Sequence, residues 1–221
     1  MKKSPYRAFT SFSYRLMCIL AAAAFLTGSF FASVYIGKIA AILISTFMPI
    51  IFVFLDFFAF SGTSSRKQRS MNFVKSSHKG GMLFKSAVKT DTILKNIYLL
   101  SGYLGYIIAE LVYFTDLDTF ADSLLMILIY LPMSQITTML ALLISRRISL
   151  TLITQTAACY ICSMVSTFLF FIYSFILPDE LTDIALFIII SFVVLEVIAI
   201  ALAVVVYRDC AKGYDSSFID T

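Results

Sequence analysis

The sequence predicts an all-α integral membrane protein with six transmembrane helices in one transmembrane domain. Hydrophobic residues make up 60% of the 221-residue chain and charged residues only 14%, whereas soluble domains average about 25% charged residues. Six apolar stretches are long enough to cross a hydrocarbon core of roughly 30 Å, which takes about 20 helical residues. Because the backbone must satisfy its own hydrogen bonds in lipid, each stretch is expected to be a helix. The expected spans are Leu16–Ile36, Ile39–Phe60, Ile93–Phe114, Leu124–Ser145, Leu150–Leu177 and Ile184–Tyr207.

The charges between the spans predict the orientation of the chain. Both termini and the connections after the second and fourth spans carry nearly all of the Lys and Arg residues, whereas the other three connections hold one cation, Lys38, and six acidic residues. Loops rich in Lys and Arg stay in the cytoplasm. We therefore expect a multi-pass plasma-membrane protein with both termini in the cytoplasm. The net charge of +4 follows from this topology, and no nucleic-acid partner is expected.

Three local patterns refine the expected architecture. Ser4 and Pro5 suit the start of a helix, and aromatic residues recur every third position from Tyr6, which fits either a short interfacial helix or only an aromatic anchor. In the first span, Ala21–Ala24 forms a small-residue face that allows close approach of another helix. The fifth span is too long for a straight crossing, so it is expected to bend or to turn back over Phe168–Leu177.

No set of residues in the chain predicts an enzyme. Cys159 and Cys162 share a helix face, but a structural zinc site takes four ligands, so the cysteines are expected to serve packing. The single histidine, His78, lies in a loop, and neither a catalytic set nor a metal site is expected. The phosphate-binding pattern GxxxxGK[ST] is absent. If the function uses ATP, another subunit must bind it.

Ionisable and amide side chains within the spans are candidate functional residues, because such groups are costly in lipid. Glu196 and Gln135 lie near the middle of their spans, where they either line a translocation path or bond neighbouring helices. Binding of a cation is a third possible role for Glu196. Asp56 and Glu110 have the same two possible roles, and both lie near an interface where they are expected to reach headgroup water. Lys95 is expected to extend its amine to the cytoplasmic surface.

The only long polar segment follows the second span. Residues Gly62–Asp91 carry seven Lys or Arg residues against one Asp. Apolar residues on both sides of Gly80–Gly81 predict two short amphipathic helices separated by a turn. Because a merely solvated loop needs no apolar face, we expect this segment, 61–92, to pack against lipid, against the bundle or against a docked protein.

This layout resembles the permease subunits of type-2 ATP-binding-cassette exporters, which have an interfacial helix, six spans and a coupling helix between spans two and three. The segments MNFVKSS (71–77), HKGG (78–81) and MLFK (82–85) stand at the matching places, with His78 where a proline is common. The resemblance implies that a cytoplasmic ATPase subunit, which holds ATP and Mg, binds the loop, and that a second permease subunit pairs with this chain in the bilayer. The implied ATPase contacts are Phe73, Val74, Lys75, Ser76, Ser77, His78, Lys79, Met82, Leu83 and Phe84.

The resemblance further implies export of a lipid, a peptide or an amphipathic small molecule. Two other functions stay open at the level of the sequence. Substrate-capture subunits of energy-coupling-factor importers also have six spans and small residues on the first one. A non-transporting immunity or assembly protein with a related fold is the third possibility.

Overall fold

The computed structural model describes residues 5–61, 79–113, 117–148, 152–176 and 184–216. Within these ranges the chain is helical apart from short connections and contains no strand. The α3 helix continues into one π-helical turn, Phe57–Ser61. The helices are α1 Pro5–Phe9, α2 Phe12–Tyr35, α3 Lys38–Asp56, α4 Gly80–Tyr113, α5 Leu117–Ile148, α6 Leu152–Ile176 and α7 Ala185–Ser216.

Within the described residues, four helical segments are long and apolar enough to cross a membrane, which is typical of an integral membrane protein. These segments coincide with the first, second, fourth and sixth predicted spans. The third and fifth predicted spans fall on α4 and α6. The four segments are Phe12–Tyr35, Lys38–Ala59, Phe120–Arg146 and Ala185–Lys212.

The helices run up and down the bundle, so their ends meet in two groups. Tyr6 of α1, Tyr14 of α2 and Cys210 of α7 share one core cluster, and the ends of α3 and α5 reach the same region. This end is termed the basic end, because Arg15 and Lys89 lie in the first turns of α2 and α4 and Arg208 lies near the end of α7. At the opposite end, the last turn of α2 meets the first turn of α3, the last turns of α4 and the beginning of α5.

The α3 helix lies at the centre of the bundle and α7 at its edge. Met48, Phe52 and Val53 of α3 are completely buried, and α3 packs against α2, α4, α5 and α6. The most apolar part of α7 has 11% of its residues buried, compared with 56% for α3. Its principal neighbours are α5 and α4, so most of its surface faces lipid or another protein.

The α2 and α4 helices run parallel and touch through their backbones. A Cβ atom on Gly105 would lie 2.1 Å from the carbonyl oxygen of Leu26, which excludes any side chain there. Ser101 donates a hydrogen bond to the carbonyl oxygen of Ala22 at 3.0 Å. The small-residue face predicted at Ala21–Ala24 therefore takes part in this contact, but the glycine that makes it possible lies on α4.

The short N-terminal helix exists, and it is a packed element. The Ser11 side chain caps α2 by accepting a hydrogen bond from the Tyr14 backbone nitrogen at 3.1 Å, and this cap separates α1 from α2. Tyr6 is 8% exposed, and Phe9 stands edge-on to Phe84 of α4 with ring centroids 5.5 Å apart. The segment thus packs against α4, and its position in the headgroup layer stays a prediction. Ser4 lies outside the described residues.

Two predicted breaks in helices are wrong. Gly80–Gly81 does not form a turn, since α4 begins at Gly80 and continues to Tyr113 without interruption. The second amphipathic segment of the loop and the third span are therefore one helix of 34 residues. The fifth span does not turn back after Phe168, because α6 is continuous to Ile176. The first amphipathic segment of the loop lies outside the described residues.

Candidate functional site

Four charged side chains from three helices meet in the interior of the basic end. They are nearly inaccessible to solvent: Asp56 of α3 is 0% exposed, Asp91 and Lys95 of α4 are each 1% exposed, and Arg146 of α5 is 8% exposed. Two acids and two bases give this group, termed the ion cluster, no net charge. A buried group of this kind is tolerated only when each charge has a partner of opposite sign.

Each acid of the ion cluster contacts both bases. The Arg146 guanidinium donates to the Asp56 carboxylate through Nε at 3.0 Å and Nη2 at 2.7 Å, and Nη2 also lies 3.0 Å from Oδ2 of Asp91. The Lys95 ammonium donates to Asp91 Oδ2 at 2.5 Å and to Asp56 Oδ1. The two-pronged arginine–carboxylate geometry fixes direction as well as distance, so α3, α4 and α5 are held in one register.

Two tyrosines extend the ion cluster to α1 and α2. The hydroxyls of Tyr14 and Tyr6 donate to Asp91 Oδ1 at 2.8 Å and 3.4 Å, and the Lys95 ammonium lies 5.8 Å from the centre of the Tyr14 ring. Burial and the adjacent Asp91 carboxylate raise the pKa of Tyr6, so its phenol stays protonated and donates. Five helices are therefore joined at one point near the basic end.

Most of the ion cluster was not predicted from the sequence. Asp56 and Lys95 were expected to reach headgroup water or the cytoplasmic surface, and both expectations are wrong because the side chains are buried against each other. Asp56 does bond neighbouring helices, which is one of its two predicted roles. Asp91 and Arg146 were assigned to connections. The i,i+4 spacing of Asp91 and Lys95 is the one available signal, since residues four apart lie on the same face of a helix.

A second buried carboxylate, Glu110, lies at the opposite end of the bundle. It is 0% exposed, which contradicts the expected contact with headgroup water. Ser33 of α2 donates to Glu110 Oε1 at 2.9 Å and Ser123 of α5 donates to Oε2 at 3.1 Å. The Lys38 ammonium of α3 stands 3.8 Å away with 30% of its side chain exposed. Glu110 therefore bonds neighbouring helices, which is one of its two predicted roles.

The two predicted mid-span residues, Glu196 and Gln135, are brought together between α7 and α5. With the Gln135 amide oriented so that its nitrogen faces Glu196, that nitrogen lies 3.0 Å and 3.1 Å from the two carboxylate oxygens. Both side chains also line an open groove of about 650 Å³ between α4 and α7. The pair thus bonds two helices, which is one of its two predicted roles, and it also faces a groove of the size that small-molecule sites have.

The described part of the predicted coupling loop separates into exposed and buried residues. Lys79 is exposed, and Met82 and Leu83 are 71% and 39% exposed. Phe84 is 1% exposed beneath α1, so its side chain is not on the surface of the chain. The remaining predicted contacts lie outside the described residues: Phe73, Val74, Lys75, Ser76, Ser77 and His78.

All four cysteines are buried and free of disulfides. In the described part of the chain, no three His, Cys, Asp or Glu side chains are placed to share a metal ion. Comparison of the chain with protein-family models, with curated proteins and with solved structures finds no match. The function must therefore be argued from the geometry.

Proposed function

We propose that this chain is the membrane-spanning subunit of an ATP-driven transporter, and that a separate ATPase docks on the segment between α3 and α4. The proposal includes a second permease subunit, identical or related, as partner in the bilayer. ATP and Mg belong to the ATPase, and this chain contributes no catalytic residue. The cargo is a lipid, a peptide or an amphipathic small molecule, and the direction is export.

The proposed topology has six spans with the basic end in the cytoplasm. The up-and-down order of the helices supports it, because the basic end gathers the starts of α2 and α4 with the ends of α3, α5 and α7. The cationic residues Arg15, Lys89 and Arg208 accompany that end, as the positive-inside rule requires of a cytoplasmic side. Both termini are then cytoplasmic, and the plasma membrane is the proposed location.

The observation that carries the proposal is that one uninterrupted helix, α4, connects the basic loop to the ion cluster. The helix starts at Gly80, immediately after the basic loop, and runs as one rigid element to Tyr113. Asp91 and Lys95, about three and four turns from its start, bind the ends of α3 and α5. A push on the loop therefore displaces α4 and, through the ion cluster, α3 and α5 with it.

The first turns of α4 supply both an attachment to the bundle and an exposed surface for the ATPase. Phe84, Ala87 and Val88 are buried in the core cluster that contains Tyr6, so they attach the helix to α1. Met82 and Leu83 remain exposed next to the basic loop. Exposed apolar side chains rimmed by polar residues are typical of protein interfaces. We assign docking to Lys79, Met82, Leu83 and the loop before them, and we assign Phe84 to anchoring.

The test is co-purification of the tagged chain with the products of its neighbouring genes in mild detergent. The variant Phe73→Asp combined with Met82→Asp introduces two charges into the docking segment without touching the buried Phe84. The expected result is an ATPase that co-purifies with the wild-type chain and is lost from the variant. Tyr35→Asp is the matched control, because Tyr35 is 79% exposed at the opposite end and its substitution should leave the ATPase bound.

Two results contradict the proposal in different ways. An ATPase bound equally by the wild type and by the double variant means that docking lies elsewhere on the chain. If neither binds an ATPase and a small molecule is instead released on denaturation, the chain is a substrate-capture subunit. Size-exclusion profiles of all three proteins establish that lost binding is not lost folding.

A further inference from the structure

The side chains that line the groove between α4 and α7 change in character from one end of the groove to the other. On α4, Lys89 is followed by Ile93 and Ile97 at intervals of four residues, so the three share one face. On the antiparallel α7, the corresponding row is Arg208, Val204, Ile200 and Glu196. Each wall thus begins with a cation at the basic end and continues with branched aliphatic side chains.

The length of the groove matches one leaflet of a bilayer. Arg208 and Glu196 are twelve positions apart on α7, which corresponds to about 18 Å at 1.5 Å per residue. Half of a hydrocarbon core of about 30 Å, together with the adjoining headgroup layer, spans a similar depth. With the basic end at the cytoplasmic surface, the cations lie at headgroup depth and Glu196 lies near the middle of the bilayer.

The inner end of the groove closes on a satisfied polar pair. Because the Gln135 amide hydrogen-bonds both oxygens of Glu196, this end does not require a cation from an occupant. The middle of the groove is apolar, with Ile97 and Ile200 left 52% and 61% exposed. At the outer end, neither Lys89 nor Arg208 forms an ion pair with an acidic side chain of the described residues. The groove therefore offers two cations at one end and an apolar trough behind them.

We propose that this groove binds an anionic phospholipid of the cytoplasmic leaflet, with its phosphate between Lys89 and Arg208 and one acyl chain along Ile93, Ile97 and Ile200. Charge complementarity selects the anionic headgroup, since each basic side chain near the surface attracts anionic lipid. The length of the groove fits an acyl chain that ends near Glu196. The inference rests on the membrane placement proposed above but not on transport or on an ATPase.

The chain contains no tryptophan, so one introduced tryptophan reports on its own surroundings. Ile97→Trp places the reporter in the groove. Leu20→Trp is the matched control, because Leu20 of α2 is 57% exposed and lies at a similar depth on the other side of α4. Each full-length variant is reconstituted into neutral phosphatidylcholine vesicles containing a small fraction of lipid with brominated acyl chains, which quench tryptophan on contact. The brominated lipid is either anionic phosphatidylglycerol or neutral phosphatidylcholine.

At Ile97→Trp, brominated phosphatidylglycerol should bind about 30-fold more strongly than brominated phosphatidylcholine, as expected for two basic contacts. The preference should disappear when Lys89→Gln and Arg208→Gln are added, and it should survive Arg7→Gln, which removes a cation from the same end but not from the groove. At Leu20→Trp, the two lipids should quench alike.

Three results overturn the proposal. Equal quenching by both lipids at Ile97→Trp means that the groove does not select an anion. An anionic preference that persists without Lys89 and Arg208 comes from the surface charge of the whole protein. Displacement of the lipid by the lipophilic cation tetraphenylphosphonium, abolished by Glu196→Gln, assigns the groove to a cationic ligand instead. The interpretation of these quenching and displacement results does not depend on whether an ATPase co-purifies with the chain.

Discussion

The two ends of the bundle join the same four helices by different means. At the basic end, Asp56, Asp91, Lys95 and Arg146 form a closed set of ion pairs, which Tyr14 links to α2. At the opposite end, α2, α3, α4 and α5 meet at Glu110, which is held by two serine hydroxyls and one cation 3.8 Å away. At the basic end both partners of every ion pair are charged, whereas two of the three contacts to Glu110 come from neutral hydroxyls and the third spans 3.8 Å. The four helices should therefore move together at the basic end and separate more easily at the other.

The largest effect is expected from Asp56→Ala. This substitution leaves Lys95 and Arg146 buried with Asp91 as their only shared acid, and breaking a buried pair in this way costs about 3–5 kcal/mol. Thermal unfolding of the purified chain in detergent should show the loss. The double variant Asp56→Asn with Lys95→Met restores neutrality and should be more stable than the sum of its single changes. Strict additivity would mean that the four charges do not act as one cluster.

Gly105→Ala should produce the next largest loss of stability. Towards the opposite end of the bundle, the contact between α2 and α4 depends on the close approach of their backbones. The new Cβ atom would lie 2.1 Å from the Leu26 carbonyl oxygen, and overpacking of this kind costs about 1–3 kcal/mol. Gly102→Ala should cost less, because its nearest neighbour is the rotatable Ser45 hydroxyl at 2.9 Å. Gly28→Ala, with 3.8 Å to its nearest neighbour, is the neutral control. Any other order among the three contradicts the close contact at Gly105.

Glu110→Gln should cost about 1–2 kcal/mol in the same unfolding assay. The amide keeps one oxygen to accept a serine hydroxyl, but its nitrogen faces the other hydroxyl and one hydrogen bond is weakened or lost. Asp56→Asn is the matched comparison at the basic end, because it makes the same change from carboxylate to amide within a set of ion pairs. A loss at Glu110 equal to or greater than the loss at Asp56 would remove the difference between the two ends.

Lys38→Met should have the smallest effect, below about 1 kcal/mol, because a partly exposed ion pair is weak. With 30% of its side chain exposed and 3.8 Å to Glu110, the lysine is screened by salt. The difference between Lys38→Met and the wild type should shrink further when the unfolding assay is repeated at high ionic strength. A large difference that is insensitive to salt would show that Lys38 is a true member of the Glu110 site.

Hydropathy predicted the helices well because it depends on local composition alone. The first, second, fourth and sixth spans agree with helices long and apolar enough to cross a bilayer, and the short helix before the first span exists. Gly80–Gly81 was misread as a turn, because glycine favours turns in isolation. In the folded chain, contacts of Phe84 and its neighbours with α1 hold these residues at the start of a helix.

The ion cluster could not be predicted in the same way, since it depends on contacts between distant parts of the chain. Asp56 and Arg146 are 90 positions apart, and each occupies the end of its helix, where a charged residue is ordinarily exposed to headgroups. Within the described residues, Tyr6 of α1 and Tyr14 of α2 close the cluster through their hydrogen bonds to Asp91. Glu196 and Gln135 were both identified as candidates, but their pairing required the relative rotation of α5 and α7, which composition does not encode.

Under the proposed function, ATP-driven movement of the loop displaces α4, together with α3 and α5, relative to the peripheral α7. The most direct measurement is the distance between spin labels on cysteines introduced at the exposed Ser86 of α4 and the exposed Lys212 of α7, in the complex with its co-purified ATPase. The wild-type chain, whose four cysteines are buried, serves as the labelling control. We expect a change of several ångströms between the nucleotide-free complex and one trapped with ATP, and we expect the neutral double variant at Asp56 and Lys95 to alter that change. An identical distance with and without ATP would contradict the claim.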